Sequence, residues 1–222
     1  MISDITSLAM SYWNGPVTMY KYETHYLNKG YHHIAGTDEA GRGPLAGPLV
    51  VAAVILDKDV VIEGLDDSKK LSESARTRLA KTIKATAKDY AIIVHSASKV
   101  DSLNVYQSAK QAMQEAVVAL KICDFVLSDA MPLTLDIPSE SIIKGDAHSA
   151  SIAAASILAK DHRDQIMKAL AGRYPEYGFD KHKGYGTNAH LEALKTHGPT
   201  PHHRRSFAPV RKVIEKQLHF NM

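Results

Sequence analysis

An α/β fold, a sheet with helices packed on it, is predicted from three observations. Two apolar runs of strand length, His33 to Asp38 and Leu49 to Leu56, flank a Gly/Pro-rich turn, the pattern of a hairpin. Helix-like and strand-like segments then alternate, as they do when helices cover a sheet. Apolar residues make up 45% of the chain and charged residues 23%, a globular balance that excludes disorder and coiled coil as global readings.

The elements follow in order. Residues 1–30 carry Tyr, Asn and Gly without periodicity and read as an N-terminal extension, leaving 31–222 as one domain. After the hairpin, "LSESARTRLAKTIKATAKDY" predicts a helix with Ser72 as N-cap and Leu79, Ile83 and Ala87 on one face. "YAIIVHSAS" reads as a strand. A helix from Val105 to Lys121 follows, striped by Ala109, Met113, Ala116, Val117 and Leu120. "DFVLSDA" and "SIIKGDA" are short apolar runs that each end in an aspartate. "SASIAAASILAKDHRDQIMKALAGRY" predicts a long helix whose Ser/Ala run, Ser149 to Ser156, suits close packing. "NAHLEALKTHG" predicts a shorter one ending at Gly198. From His182 onward there are helices and no strand.

Cys123 stands alone, which excludes an internal disulfide and a cysteine zinc cluster and fits a reducing compartment. The start, MISDITSLAMSYWNGPV, lacks the basic and apolar regions of a signal peptide. The longest apolar run, Leu49 to Leu56, is far short of the roughly 18 residues of a membrane span. A soluble, cytoplasmic monomer with no membrane partner is expected. The net charge of +3 permits nucleic-acid binding without requiring it.

Chemistry concentrates at strand ends. Asp38 with Glu39, Asp129 and Asp146 sit where apolar runs stop, and sites in α/β sheets form outside strand ends. Any one of these acids alone reads first as a turn former or helix cap, and Asp146 in particular could cap the helix that begins nearby. Two adjacent acids exceed what a cap needs. Four gathered carboxylates would repel strongly, and divalent cations answer that problem. Neighbouring residues of a strand face opposite ways, so Asp38 and Glu39 share one site only if the chain bends, which Gly41 and Gly43 allow.

A plain hairpin turn accounts for Gly41 and Gly43 but not for Arg42 between them. The spacing in "GRGPLAG" fails the dinucleotide pattern, and no Walker Lys-Ser/Thr pair is present. Tyr185 in "KGYGT" is either a core tyrosine or, between glycines and beside Lys183, a platform for a sugar or base. Lys69 and Lys70, Lys181 and Lys183, and Arg204, Arg205, Arg211 and Lys212 form basic clusters that are either solvated faces or phosphate contacts. Twelve histidines include His182, His190, His197, His202 and His203. They lack the paired spacing of a zinc protease and read as surface residues.

The ordered motifs "GTDEAGRGPLAGP", "DDSKKLS", "VLSDA", "KGDAHSASIAAASILAKDHRD", "YGFDKHKGYGTNAHLEAL" and "HHRRSFAPV" together resemble type 2 ribonucleases H, most closely the bacterial HII branch, from about Ile34 to Lys212. The resemblance implies a ribonuclease H-like fold, a central mixed sheet flanked by helices with a helical C-terminal segment. It implies an endonuclease that cuts 5′ to a ribonucleotide in RNA/DNA hybrids and at single ribonucleotides embedded in duplex DNA, leaving 5′-phosphate and 3′-hydroxyl ends. Asp38, Glu39, Asp129 and Asp146 correspond to its ligands for two divalent ions, Mg²⁺ or Mn²⁺. Gly41, Arg42 and Gly43 correspond to its Gly-Arg-Gly element and Tyr185 to its substrate tyrosine, with Lys69, Lys183, Arg204 and Arg205 as further substrate contacts. The family commonly places Gly after the third acid, where this chain has Ala130. The alternatives are a ribonuclease HIII-like hybrid nuclease, against which Arg42 argues, and a non-catalytic duplex-binding module. The ending "EKQLHFNM" weakly resembles peptides that dock on sliding clamps.

Overall fold

The computed structural model describes residues 18–66 and 68–220, the side chains of 18 and 218–220 excepted. The first seventeen residues of the extension and the last two of the clamp-like ending lie outside them. Five strands form one sheet in the order β3-β2-β1-β4-β5: β1 is Ile34–Ala40, β2 Leu49–Ile55, β3 Asp89–His95, β4 Phe125–Asp129 and β5 Ser139–Ile142. The sheet is mixed and flanked by helices. β1 pairs parallel with β4 (Thr37 opposite Ser128) and β4 parallel with β5 (Asp129 opposite Ile142). Every residue of β2 is buried, which explains why its sequence is a continuous apolar run rather than an alternating one.

The helices are α1 (Lys21–Asn28), α2 (Glu73–Thr86), α3 (Ala97–Leu103), α4 (Val105–Val118), α5 (Ala150–Arg173), α6 (Phe179–His182), α7 (Asn188–His197) and α8 (Ala208–Phe220). Ser72 caps α2 as expected, its hydroxyl accepting from the Ala75 N–H at 3.2 Å. Gly198 follows α7 at φ +75°. The helix expected to reach Lys121 stops at Val118, and α1 and α3 were not foreseen. Among the described residues no helix is long and apolar enough to cross a membrane.

The chain falls into two compact units. One comprises 1–39, 51–93 and 113–161; the other 40–50, 94–112 and 162–222. In the first, Tyr26, Ile34, Phe125, Leu127, Ile142 and Ile152 form the core around β1, β4 and β5. In the second, Ala46, Met167, Leu170, Tyr177 and Phe179 form one cluster, and Leu45, Leu194 and Val210 another.

Helix α1 gives part of the extension a definite task. The Tyr26 ring stacks on Phe125 at 3.7 Å between centroids, and its hydroxyl donates to Glu140 of β5. Glu23, only 1% exposed, accepts from the Ser149 hydroxyl at 2.5 Å and the Ser151 N–H at 2.9 Å. Ser149 in turn accepts from the Ile152 N–H at 3.3 Å. The first turn of α5 is thus capped by its own serine and by a carboxylate from far upstream, the charge sign that a helix N-terminus favours. Burial pushes the Glu23 carboxyl up, while the Ser149 and Ser151 hydrogen bonds pull it down. Glu23→Ala leaves those donors buried without an acceptor and is expected to cost about 1–3 kcal/mol. A urea midpoint for the variant equal to wild type would contradict the cap.

Candidate active site

The first unit carries all four acids. Thr37 lies opposite Ser128, so one step further along the parallel pair Asp38, inside β1, comes beside Asp129, the last residue of β4, at a strand spacing of about 4.8 Å. Asp38 is 5% exposed. Its Oδ1 accepts from the Glu39 N–H at 2.7 Å. Burial pushes its carboxyl well above the usual range, the charges of Glu39 and Asp129 push it further, and a hydrogen bond from Ser156 opposes them. Both Asp38 and Glu39 lie inside β1 rather than beyond its end, and Glu39 is the more exposed of the two.

Asp129 and Asp146 are joined by a bend. After β5, Lys144 adopts φ +57° in the left-handed region, and Gly145 and Asp146 begin a short 3₁₀ turn. The Gly145 N–H donates to Asp129 Oδ1 at 2.7 Å. A Cβ on Gly145 would stand 2.5 Å from Ile152 Cδ1 and 3.4 Å from Asp129 Oδ1, so a side chain here would press on the end of Ile152. Ser149, not Asp146, caps α5. Ala130 sits at φ +47°, its N–H bonded to the Ile142 carbonyl at 2.9 Å. That conformation costs an L-residue about 1–2 kcal/mol and explains why glycine suits the position.

Lys69 Nζ reaches Asp146 Oδ2 at 3.0 Å. Expected as a phosphate contact, it lies here as a counter-charge beside one of the acids, with its side chain 77% exposed. The donor set fits hard divalent cations: carboxylate oxygens, those of Asp38 and Asp146 buried, with Asp38 raised first by burial and then by its two negative neighbours. Among the described residues no group of three or more His, Cys, Asp or Glu side chains stands as a ready metal cage.

The second unit carries the Gly-Arg-Gly turn and Tyr185. Arg42 and Gly43 are exposed, and Tyr185 is 47% exposed. A Cβ on Gly43 would lie 3.6 Å from Tyr185 Cε1, so the turn and the tyrosine adjoin. Gly41, at φ +98°, could take no side chain: a Cβ there would meet Arg163 Nε at 2.2 Å. Lys183 folds back so that its ammonium donates to the Asp180 carbonyl. Arg205 is exposed, and its N–H donates to Asp101 Oδ2 at 2.7 Å.

Two expectations need correction. Arg204 does not face solvent as a phosphate contact. It is fully buried, and its guanidinium donates to the carbonyl oxygens of Gly41, Arg42 and Gly47. Arg163, which no local signal singles out, is equally buried and donates to the carbonyls of Ala46, Pro48 and Lys183.

Nor are the histidines all at the surface: His190 and His203 are 0% and 2% exposed. The Thr200 N–H donates to His203 Nδ1 at 3.0 Å, which leaves the His203 proton on Nε2. Nε2 then donates to His190 Nε2 at 3.0 Å, and His190 Nδ1 donates to the Tyr185 carbonyl at 2.9 Å. This order requires both rings neutral. Burial pushes His203 down to about 3, with the neighbouring His190 and His202 adding to the effect.

Between about 3 and 6.5 the unfolded chain binds a proton at this position that the fold refuses. The contribution of His203 is complete above pH 6.5 and is lost as pH falls toward about 3. The raised carboxyls of Asp38 and Glu23 act in the opposite sense, so the difference between proteins is the readout. Stability of the wild type is expected to fall more steeply than that of His203→Asn on acidification through that window. Parallel Tm–pH curves would refute the neutral pair.

A model of the Ribonuclease HII family matches residues 35–210. The chain belongs to the ribonuclease HII family. Ribonuclease HII of Bacillus mycoides (strain KBAB4) is 53% identical over 199 residues, spanning 89% of this chain and 77% of that one. The ribonuclease H2 structure from Pyrococcus horikoshii OT3 has a TM-score of 0.73 at 26% identity, covering 83% of this chain and 98% of the other. A ribonuclease HII structure from Archaeoglobus fulgidus, in complex with PCNA, has a TM-score of 0.65 at 26% identity over 78% of this chain and 92% of that one. As a ribonuclease HII, the protein is an RNase H endonuclease, and the five-stranded sheet and helical C-terminal region are those of the RNase H2 fold.

Proposed function

We propose that this ribonuclease hydrolyses the phosphodiester 5′ to a ribonucleotide, both in RNA/DNA hybrids and at single ribonucleotides embedded in duplex DNA, leaving 5′-phosphate and 3′-hydroxyl ends. The observation that carries the reading is Asp38, buried beside Asp129 in β4, its carboxyl raised by that burial and then by its acidic neighbours. Asp38, Glu39, Asp129 and Asp146 would hold two divalent ions, Mg²⁺ or Mn²⁺. Such ions supply neutralised phosphate oxygens, an activated water and a stabilised leaving oxygen. Asp38 would be held in orientation to receive them by the Glu39 N–H and Ser156. Gly145, through its N–H, fixes the rotamer of Asp129.

Selection of a ribonucleotide needs a group that meets its 2′-hydroxyl. Gly41, Arg42 and Gly43 present backbone for that purpose, and the half-exposed ring of Tyr185 would pack on the next sugar. Lys69, Lys183 and Arg205 would meet the phosphates around the cut. The enzyme would act as a cytoplasmic monomer. A sliding clamp is a proposed partner, because the Archaeoglobus fulgidus relative was solved with PCNA and the clamp-like segment of this chain runs through the end of α8.

Incubating a DNA duplex that carries one ribonucleotide, with and without divalent cation, tests the reading. A single cut on the 5′ side of the ribonucleotide, dependent on cation, is expected. A cut elsewhere, or none, would refute it. Tyr185→Ala is expected to slow this substrate about tenfold more than a long hybrid, since base or sugar stacking is worth about 1–3 kcal/mol. Equal loss on both substrates would argue against that role.

A further inference from the structure

Arg204 is a large charged side chain with no exposed surface, an arrangement that costs free energy unless its donors are well used. Its Nη1 donates to the Arg42 carbonyl at 2.8 Å, and its Nη2 to the carbonyls of Gly41 at 2.5 Å and Gly47 at 3.1 Å. Nε adds a 3.3 Å bond to Gly47, and the Arg204 N–H donates to the Leu45 carbonyl at 2.8 Å. Arg163 reaches the carbonyls of Pro48 at 3.0 Å, Ala46 at 3.3 Å and Lys183 at 3.0 Å. Two guanidinium groups therefore hold six carbonyls, of the Gly-Arg-Gly turn, the segment after it and the residue two before Tyr185. Burial, then repulsion by Arg163, pushes Arg204 down to about 10.

What those bonds do follows from peptide geometry. The described chain contains no cis peptide. In a planar trans peptide the C=O and the following N–H point in opposite directions. With the carbonyls of Gly41 and Arg42 turned toward the buried guanidinium, the N–H groups of Arg42 and Gly43 are turned away from it. Gly43 and Arg42 are exposed, and Gly43 has only the Tyr185 ring near where a Cβ would be. Two successive amide donors aimed outward can together meet an acceptor oxygen.

We propose that Arg204 is the positioning residue of the ribose reader: by gathering the Gly41 and Arg42 carbonyls it aims the Arg42 and Gly43 N–H groups at the oxygens of a ribonucleotide. This rests on the ribonucleotide-directed reading above. A lysine cannot replace the planar fork, because three donors on one nitrogen do not reach carbonyls spread around a guanidinium.

The test compares wild type and Arg204→Lys for binding, without divalent cation, to two duplexes that differ only by one ribonucleotide. Wild type is expected to prefer the ribonucleotide duplex about tenfold, the scale of a well-placed hydrogen bond to a hydroxyl. In Arg204→Lys that preference is expected to fall to within about twofold, with affinity for all-DNA duplex held within the same margin. A preserved preference overturns the proposal, and so does a proportional loss on both duplexes, which would mark a merely structural role. If the variant does not fold, the wild type still decides. The Arg42 and Gly43 amide resonances should shift with the ribonucleotide duplex and not with DNA alone, and equal shifts would overturn the proposal. A wild type that cuts at the ribonucleotide but shows no preference refutes the positioning role alone. One that fails to cut there refutes the function on which it rests.

Discussion

Asp38→Asn is expected to reduce cleavage by about three orders of magnitude or more, the scale lost when charge support is withdrawn from a phosphoryl-transfer transition state. The substitution is nearly isosteric, and its Oδ1 can still accept from the Glu39 N–H that Asp38 now holds at 2.7 Å. What disappears is one negative charge among Asp38, Glu39 and Asp129. Because burial and those neighbours already disfavour the ionised form of Asp38, the neutral variant should fold at least as stably as wild type. Activity and stability therefore move in opposite directions, the usual relation at a site built from strained charges. Affinity for duplex should survive, since the contacts proposed for it lie elsewhere. Measuring single-turnover cleavage, Tm and duplex binding on one preparation separates these outcomes. Near-wild-type cleavage by Asp38→Asn would remove the acid cluster from the mechanism.

Gly36→Ala should be the most damaging single methyl in the first unit. A Cβ at Gly36 would stand 2.1 Å from the Ser151 carbonyl carbon, 2.2 Å from the Ile152 nitrogen and 2.4 Å from the Ser151 oxygen. All three are backbone atoms of the first turn of α5, so no rotamer change relieves the clash. Either β1 or α5 must move, at a cost of about 3 kcal/mol or more. Asp38 lies two residues further along β1, so cleavage should fall along with stability. Gly172→Ala supplies the contrast. It lies in the same helix with nothing within 4 Å of the added methyl, and helix propensity favours it by about 1 kcal/mol. Urea denaturation that left Gly36→Ala within about 1 kcal/mol of wild type would show that β1 and α5 do not approach so closely.

The elements were legible wherever a local signal sufficed. Ser72 and Gly198 marked helix ends because capping involves residues only a few positions apart. The Ser/Ala run predicted close packing, which the contact of Gly36 with Ser151 realises. Helix α1 was missed because its buried positions, Glu23 and Tyr26, include a charged residue, so no apolar stripe announces it. The acids at strand ends were legible one by one, but nothing in their spacing told Asp146 the ligand from Asp146 the cap. The serine cap at Ser149 takes the capping role away from Asp146, and the bond from Gly145 to Asp129 ties the two acids' segments together.

By itself the sequence determined the alternation of strands and helices, the family motifs and the four acids, because each is written in neighbouring residues. Only the tertiary structure decided which polar side chains are interior. Arg204 holds a carbonyl 163 residues away at Gly41, Glu23 a hydroxyl 126 residues away at Ser149, and His203 a ring 13 residues away at His190. A basic, acidic or imidazole group is tolerated inside when distant partners satisfy it, and those partners are chosen by the fold rather than by the residues beside it.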